Sequence, residues 1–418
     1  MAYNIRIFNG NRIGGCSTVI STDKSKIAID FGLSLPGGKD TTDISIDWDK
    51  EKVDGVFFTH YHGDHIGRFK EIPENVDLYM GKITYDVLYN IGKRVDGEAC
   101  TILDKRLRGG TIKFVEKGRP IRINDDMVVT GYAIDHSAFD AFMYLVEADG
   151  KHILHTGDFR DHGHRGHKKG KYGDRNILLE VIKYYVLQNG ARQIDDLIIE
   201  GTMLGERFGE KQFSEKELQA QATRFFKEHR HVFIKISSTN VDSLASFYHG
   251  ARANNLTMYA NPYLLDQFKV YAEAGRSHGT SFYNFFGVRR LPFLVEGKGA
   301  DNVQAARIIS EMRGKGFLAI VSEQDQWLMD ELADCKPKMI YSMWKGFLDP
   351  KHPAYNGNLA AFCQKYDAII MHTSGHAYPE TIEAVINAVK PARIWPIHTE
   401  NAPGFKLLNI SEKLKAKL

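Results

Sequence analysis

Three histidines and a carboxylate crowd into the stretch His60-Tyr61-His62-Gly63-Asp64-His65, directly behind the apolar run Val56-Phe57-Phe58. Side chains at i and i+2 of an extended segment point the same way, so His60 and His62 can reach one ion. The turn that Gly63 permits redirects Asp64 and His65 toward a second. Imidazole and carboxylate ligands without thiolate suit zinc, with manganese or iron as alternatives. So compact a set leaves coordination positions open for chemistry instead of closing a structural site. The competing reading is a polar surface loop that happens to hold histidines. So many potential ligands at that spacing, behind a buried-type strand, weigh against it.

The pattern resembles the H-x-H-x-D-H signature of the metallo-β-lactamase superfamily, and partners for it stand elsewhere in the chain. Asp30 closes the run Lys26-Ile27-Ala28-Ile29, His136 follows Ala133-Ile134-Asp135, and Asp158 follows Ile153-Leu154-His155-Thr156-Gly157. On the family's pattern, His60, His62 and His136 hold the first ion, Asp64 and His65 the second, and Asp158 bridges both. Asp30 then orients the histidine loop from behind.

These residues need elements to position them. A chain of 418 residues is longer than one core normally serves, so two domains are expected. Up to about residue 160, short β-type runs alternate with turn signals: Ile5–Phe8, Ser17–Ser21, Lys26–Phe31, Val76–Tyr79, Thr111–Val115, Met127–Thr130 and Met143–Glu147. Helical periodicity shows at Ile83–Ile91. The resemblance implies an α/β fold, the αββα sandwich of the superfamily. Gly14-Gly15 either lets the backbone pass close to the metal cleft or forms a simple hairpin turn. The stretch Phe159–Tyr172, rich in His, Lys, Arg and Gly, is expected to be a mobile loop whose cations contact backbone phosphates. Its His162, His164 and His167 are not expected to be ligands, because the set is complete without them.

Near residue 205 the texture changes to alternating helix and strand, the mark of a second domain with a mostly parallel sheet. Ser214-Glu215-Lys216-Glu217 reads as a capping box. Helices over Asn240–Ala253, Tyr263–Ala274, Asp301–Met312 and Gln326–Ala333 are expected to alternate with strands at His231–Ile236, Leu256–Ala260, Phe317–Ser322 and Met339–Met343.

The insert is bracketed by Leu197-Ile198-Ile199-Glu200-Gly201-Thr202 before it, and by Met371-His372-Thr373-Ser374-Gly375-His376-Ala377 and Trp395-Pro396-Ile397-His398-Thr399-Glu400 after it. These resemble the three extra motifs of the β-CASP nucleases, the group of bacterial ribonuclease J and the polyadenylation-type RNA endonucleases. The resemblance implies a lactamase-like domain over 1–205 and 366–418, with a β-CASP domain at 206–365. It gives His398 to the second metal and makes this the RNA-processing branch, since DNA-repair members tend to carry valine there. Bacterial ribonuclease J has a further C-terminal domain, whereas this chain stops 20 residues after His398, so an oligomer that relies on such a domain is not expected. Another homo-oligomer stays open.

Two cations together can activate a water and polarise a phosphoryl group. Protonating the leaving alkoxide contributes ~10²–10⁴ in rate. Asp64, Glu200 and His376 are therefore the expected catalytic residues, with His376 as the acid and Glu200 holding its ring. Ser237-Ser238-Thr239-Asn240 either binds phosphate at a helix start or only caps it. Ser374 and Gly375 offer donors to the same phosphate, and Trp344-Lys345 either stacks a base or simply packs. From the expected donors on both walls of an interdomain cleft, a pocket for a terminal 5′-phosphate follows.

The expected function is a dinuclear metal-dependent ribonuclease on single-stranded RNA, a 5′-to-3′ exonuclease that can also cut internally, with two zinc or manganese ions. The alternatives are a hydrolase of DNA or of small esters and thioesters, and a catalytically silent RNA-binding subunit. A net charge of +3 neither demands nor excludes a polyanion. Cys16, Cys100, Cys335 and Cys363 show no C-x-x-C spacing, which fits a reducing cytoplasm. No run approaches the ~20 apolar residues of a membrane helix, so no membrane partner is expected.

Overall fold

The computed structural model describes residues 3–35, 46–170, 173–205, 213–293 and 299–418. They fall into two compact units, Met1–Gln212 with Gly375–Leu418, and Phe213–Ser374.

The first unit is built on two six-stranded sheets. One runs Asn4–Phe8, Ser17–Ser21, Lys26–Ile29, Gly55–Phe57, Asp77–Met80, Ile112–Phe114, antiparallel at its start and parallel from the third strand onward. The other runs Arg393–Ile397, Asp196–Glu200, Lys151–His155, Phe142–Ala148, Met127–Ala133, Pro120–Asn124, parallel across its first three strands and antiparallel beyond.

Side-chain alternation stacks these sheets. Phe57 enters the core between them with Ile29, Tyr144, Ile198 and Ile397. Its neighbours Val56 and Phe58 face the opposite way, into a second core with Leu88 and Leu103 of the helices Lys82–Val95 and Gly97–Arg108. Leu197 and Ile199 likewise face a third core with Ile182, Ile382 and Ile386, which belongs to the helices on the outer face of the second sheet. A strand buried on both faces must be apolar throughout, which is why Val56-Phe57-Phe58 shows no polar alternation. Each fully buried side chain of this size contributes about 1.5–3 kcal/mol. The result is the αββα sandwich. The helix Gly97–Arg108 escaped the sequence reading because only Ala99, Leu103 and Arg106 of it are buried, too sparse a stripe to register as a period.

Several of these strands end in a polar residue of interest. Asp30 follows Lys26–Ile29, His60 lies just past Gly55–Phe57, Asp158 lies past Lys151–His155, Glu200 ends Asp196–Glu200, and His398 follows Arg393–Ile397.

The second unit holds one all-parallel six-stranded sheet, ordered Arg289–Arg290, Thr257–Ala260, Phe317–Ile320, His231–Ile236, Lys338–Ser342, Ile369–Ile370. Ser214 and Glu217 form the expected capping box at the start of helix Glu215–Glu228. Asn240 caps Val241–Ala253 by accepting from Ser243 N–H, and Pro262 opens Pro262–Ser277.

Candidate metal centre

The first unit brings together His60, His62, Asp64, His65, His136, Asp158, Glu200, His376 and His398. His62 Nδ1 lies 3.0 Å from His60 Nε2 and 3.2 Å from His136 Nε2, so three ring nitrogens converge. Beside them, His65 Nε2 lies 3.0 Å from Asp158 Oδ2 and 3.8 Å from Asp64 Oδ2, and His398 Nε2 lies 3.3 Å from Asp64 Oδ2. Within each of the sets His60/His62/His136, Asp64/His65/His398 and His60/His65/Asp158, the donor atoms lie within 4.8 Å of one another.

Glycines let the loops approach so closely. A Cβ on Gly32 would fall 1.7 Å from the Asp64 carbonyl oxygen, so only glycine can sit under the histidine turn. Gly14 and Gly15 have φ of +83° and +67°, and Gly15 N–H donates to Asp64 O at 3.1 Å. Of the two readings of that pair, close passage past the histidine turn is the one observed. Asp30 and His398 adopt φ of +61° and +49° without being glycine. Such backbone costs on the order of 1–3 kcal/mol and gathers at functional sites.

The rings are held from behind. His65 Nδ1 lies 2.8 Å from Asp30 Oδ2, and His136 Nδ1 donates to Gly375 O at 2.7 Å. Gly375 thus contributes a carbonyl to His136. Burial, with neighbouring imidazoles, holds His60 and His136 well below the ordinary histidine range, and burial brings His62 down to about 4. All three therefore present neutral nitrogens. Burial alone would raise Asp64 and Asp158, but His65 and His398 beside them outweigh it, and both carboxyls stay below the usual range. Burial would likewise lower His65, yet Asp158, Asp64 and Asp30 raise it well above the ordinary value. Carboxylates that draw a proton onto a buried imidazole are calling for positive charge at that point.

That call fits a divalent cation. His65 Nε2 is buried and makes no directed hydrogen bond. The donors are imidazole and carboxylate only, which suits zinc or manganese.

Glu200, fully buried, accepts from Phe159 N–H at 3.0 Å and from Thr202 Oγ1 at 2.7 Å. His376 Nδ1 lies 3.2 Å from Glu200 Oε2 and 3.5 Å from Asp158 Oδ2, with its side chain 19% exposed. His376, which faces the Asp158 carboxylate and keeps some solvent exposure, is therefore backed by a second carboxylate.

The stretch after Asp158 corrects the expectation of a mobile, unburied loop. Arg160 is wholly buried beside Asp135, Gly163 N–H donates to Asp135 Oδ2 at 2.8 Å, and Arg165 donates to the carbonyls of His136 and Ala138. His162 stacks on Tyr378, and His167–Gly170 pairs as a hairpin with Gly173–Asn176. Basic residues can be buried here because Asp135 and backbone carbonyls satisfy them, a pairing that composition does not reveal. Lys168 and Lys169 alone keep the exposure expected, and Lys171 and Tyr172 lie outside the described residues. None of the three loop histidines joins a donor cluster among the described residues.

In the second unit, Ser237 Oγ bonds Thr239 Oγ1 and Ser238 Oγ bonds Tyr263 OH, while Asn240 supplies the helix cap. Trp344 packs edge-on against His352 and Phe347, with Lys345 exposed beside it. Ser374 is buried.

Residues 11–174 match the metallo-beta-lactamase superfamily. The chain carries a domain of that superfamily, a class of metal-dependent hydrolases. Over 185 residues it is 32% identical to ribonuclease J of Helicobacter pylori (strain ATCC 700392 / 26695), covering 40% of this chain and 25% of that protein. Over 87 residues it is 30% identical to the anti-Pycsar protein Apyc1 of Bacillus phage BSP38, covering 21% of this chain and 30% of that protein. The match thus spans about a quarter of ribonuclease J's length. A crystal structure of a protein of unknown function from Enterococcus faecalis V583 superposes with a TM-score of 0.67 over 97% of this chain and 96% of that one, at 18% identity, a likeness of fold. Among the described residues no helix is long and apolar enough to cross a membrane.

Proposed function

We propose that the protein is a dinuclear metal-dependent ribonuclease acting on single-stranded RNA. His60, His62 and His136 would hold one ion, Asp64, His65 and His398 the other, and Asp158 would face both. Bound there, the ions would supply Lewis acidity toward a phosphoryl group and activation of water at neutral pH.

The observation that carries the reading is the position of His376, 3.5 Å from Asp158 and 3.2 Å from Glu200. An alkoxide leaves a phosphodiester with a high pKa and needs a proton as the P–O bond breaks. His376, partly open to solvent, is the group that would deliver it, and Glu200 would keep its Nδ1 side fixed. The partial likeness to ribonuclease J favours RNA over small esters. An intact donor set weighs against a catalytically silent subunit.

For polarity we retain 5′-to-3′ exonucleolysis with recognition of a terminal monophosphate, and with internal cutting as a secondary activity. Ser237, Ser238, Ser374, Gly375, Trp344 and Lys345 are the proposed substrate contacts.

The test incubates zinc- or manganese-loaded protein with end-labelled RNA and DNA of one sequence, the RNA carrying a 5′-monophosphate, 5′-hydroxyl or 5′-triphosphate, and with a circular RNA. Faster release of mononucleotides from the 5′-monophosphate RNA supports the proposal. Equal rates on all three, with cleavage of the circle, would make the enzyme an endonuclease. Preference for DNA, or turnover of small esters alone, would overturn RNA as substrate.

A further inference from the structure

One hydroxyl touches Glu200, His376 and His398 together. Thr202 Oγ1 lies 2.7 Å from Glu200 Oε2, 2.8 Å from His398 Nδ1 and 3.3 Å from His376 Nδ1. Asp158, Glu200, His376 and His398 could themselves be taken for a cation site, since their donor atoms lie within 4.8 Å of one another. The Thr202 hydroxyl stands among three of these four residues and satisfies them without an ion.

A hydroxyl has one proton to give and two lone pairs to receive. An ionised carboxylate only accepts, so the proton goes to Glu200 Oε2. The lone pairs are left for N–H groups, and His398 Nδ1 at 2.8 Å is the nearer. With an ion in the second position, His398 would then keep its one proton on Nδ1 and leave Nε2 for the metal. The opposite face of the ring agrees. Gly14 N–H, which can only donate, lies 3.1 Å from His398 Nε2. That same Nε2 is the atom 3.3 Å from Asp64 Oδ2.

The hydroxyl is held in place by its own backbone. Gly201 N–H bonds Ile397 O at 3.0 Å, tying the start of the turn Thr202–Leu204 to the strand that leads into His398. A Cβ on Gly201 would strike the Phe405 ring at 2.5 Å, so the turn stays pressed against the second sheet's neighbour. Thr202 is 1% exposed.

We propose that Thr202 is a positioning residue that sets two groups at once. Its hydroxyl fixes the His398 tautomer that frees Nε2 for the second ion, and it anchors the Glu200 carboxylate that orients His376. The idea rests on the function proposed above, in which His398 is a ligand and His376 the proton donor.

The experiment compares Thr202→Val, which keeps the shape and loses the hydroxyl, with Thr202→Ser and His398→Asn. Affinity for the second zinc ion is read by titration calorimetry and bound metal by elemental analysis, alongside RNA turnover. Thr202→Val is expected to weaken the second ion about 10–100-fold, the usual cost of removing a partner behind a ligand. It should also lower turnover while RNA affinity holds, and Thr202→Ser should restore both. If His398→Asn retains both ions, the underlying reading fails. If His398→Asn loses the second ion while Thr202→Val binds it normally, the Thr202 proposal alone fails. Should Thr202→Val not fold, nitrogen-15 spectra of the zinc-loaded wild-type histidines decide the matter. The His398 ring should be protonated at Nδ1 with Nε2 bearing the metal shift, and the reverse arrangement overturns the proposal.

Discussion

The Asp30 carboxylate and the His65 ring meet at 2.8 Å, Oδ2 to Nδ1, on a backbone that places Asp30 in the left-handed region at φ +61°. The same carboxylate takes Thr59 N–H at 2.7 Å and Thr59 Oγ1–H at 2.8 Å, and Thr59 Oγ1 lies 3.0 Å from His60 Nδ1. One buried side chain thus sets His65 directly and His60 through Thr59, which are candidate ligands of different ions.

Asp30→Asn should keep the fold, because asparagine tolerates left-handed backbone, yet lower metal affinity about 10–100-fold. Calorimetric titration of the metal-free protein with zinc measures it, and an unchanged binding curve would remove Asp30 from its supporting role.

Two ions per chain are expected under metal-replete conditions, read by elemental analysis after gel filtration. Asp64→Ala should reduce the count to one and abolish hydrolysis while the circular dichroism spectrum stays native. A wild-type count of one would sink the dinuclear proposal.

His376→Ala should lower RNA turnover ~10²–10⁴-fold, with bound metal and RNA affinity near wild type. A phosphodiester with a nitrophenol leaving group needs little protonation and should be spared most of that loss. Equal losses on both substrates would show that His376 does not deliver the proton.

His155, which is not itself a candidate ligand, makes a pH prediction. It is buried, accepts from Gly157 N–H at Nδ1 at 3.1 Å, and has Thr18 Oγ1 3.3 Å from Nε2. Burial is the main cause that brings its pKa down from 6.5 to about 4. The unfolded chain therefore binds the proton more readily than the folded one. Stability from the neutral ring is complete above pH 6.5 and is lost as pH falls to 4, a total of about 3 kcal/mol at 1.36 kcal/mol per pKa unit. Urea unfolding of metal-free protein across that window should show a shallower pH slope in His155→Gln than in the wild type. Identical slopes would contradict a neutral buried His155.

The candidate donors that cluster in the structure were legible in the sequence because metal chemistry restricts residue type and spacing together. His60-x-His62-x-Asp64-His65 cannot be disguised by a neutral substitute. The strand His231–Ile236 was legible because Val232, Phe233 and Ile234, buried in succession, form an apolar run at its centre. Partners that act through a hydroxyl or a backbone atom left no such trace. Thr59 and Thr202 are ordinary threonines until the fold puts them against Asp30 and Glu200, and the Gly375 carbonyl carries no side-chain signature at all. The basic stretch after Asp158 misled because composition reports the charge of Arg160 and Arg165 but not the Asp135 carboxylate, 25 positions before Arg160, that lies beside both and offsets part of it.

The parallel pairing of Asp196–Glu200 with Arg393–Ile397 also sets an order of events during synthesis. The chain emerges from its N-terminus, so residues up to Glu200 are made before the whole second unit, and Arg393–Ile397 after it. Until that strand arrives, Asp196–Glu200 is the bare edge of its sheet, a template for wrong pairing. The proposed proton donor His376 and the proposed last ligand His398 are likewise made only after the second unit. On the proposed reading, a chain interrupted anywhere in the inserted unit carries most of the ligands but no working site. Incomplete products of translation would therefore be unable to cut the RNA still being read.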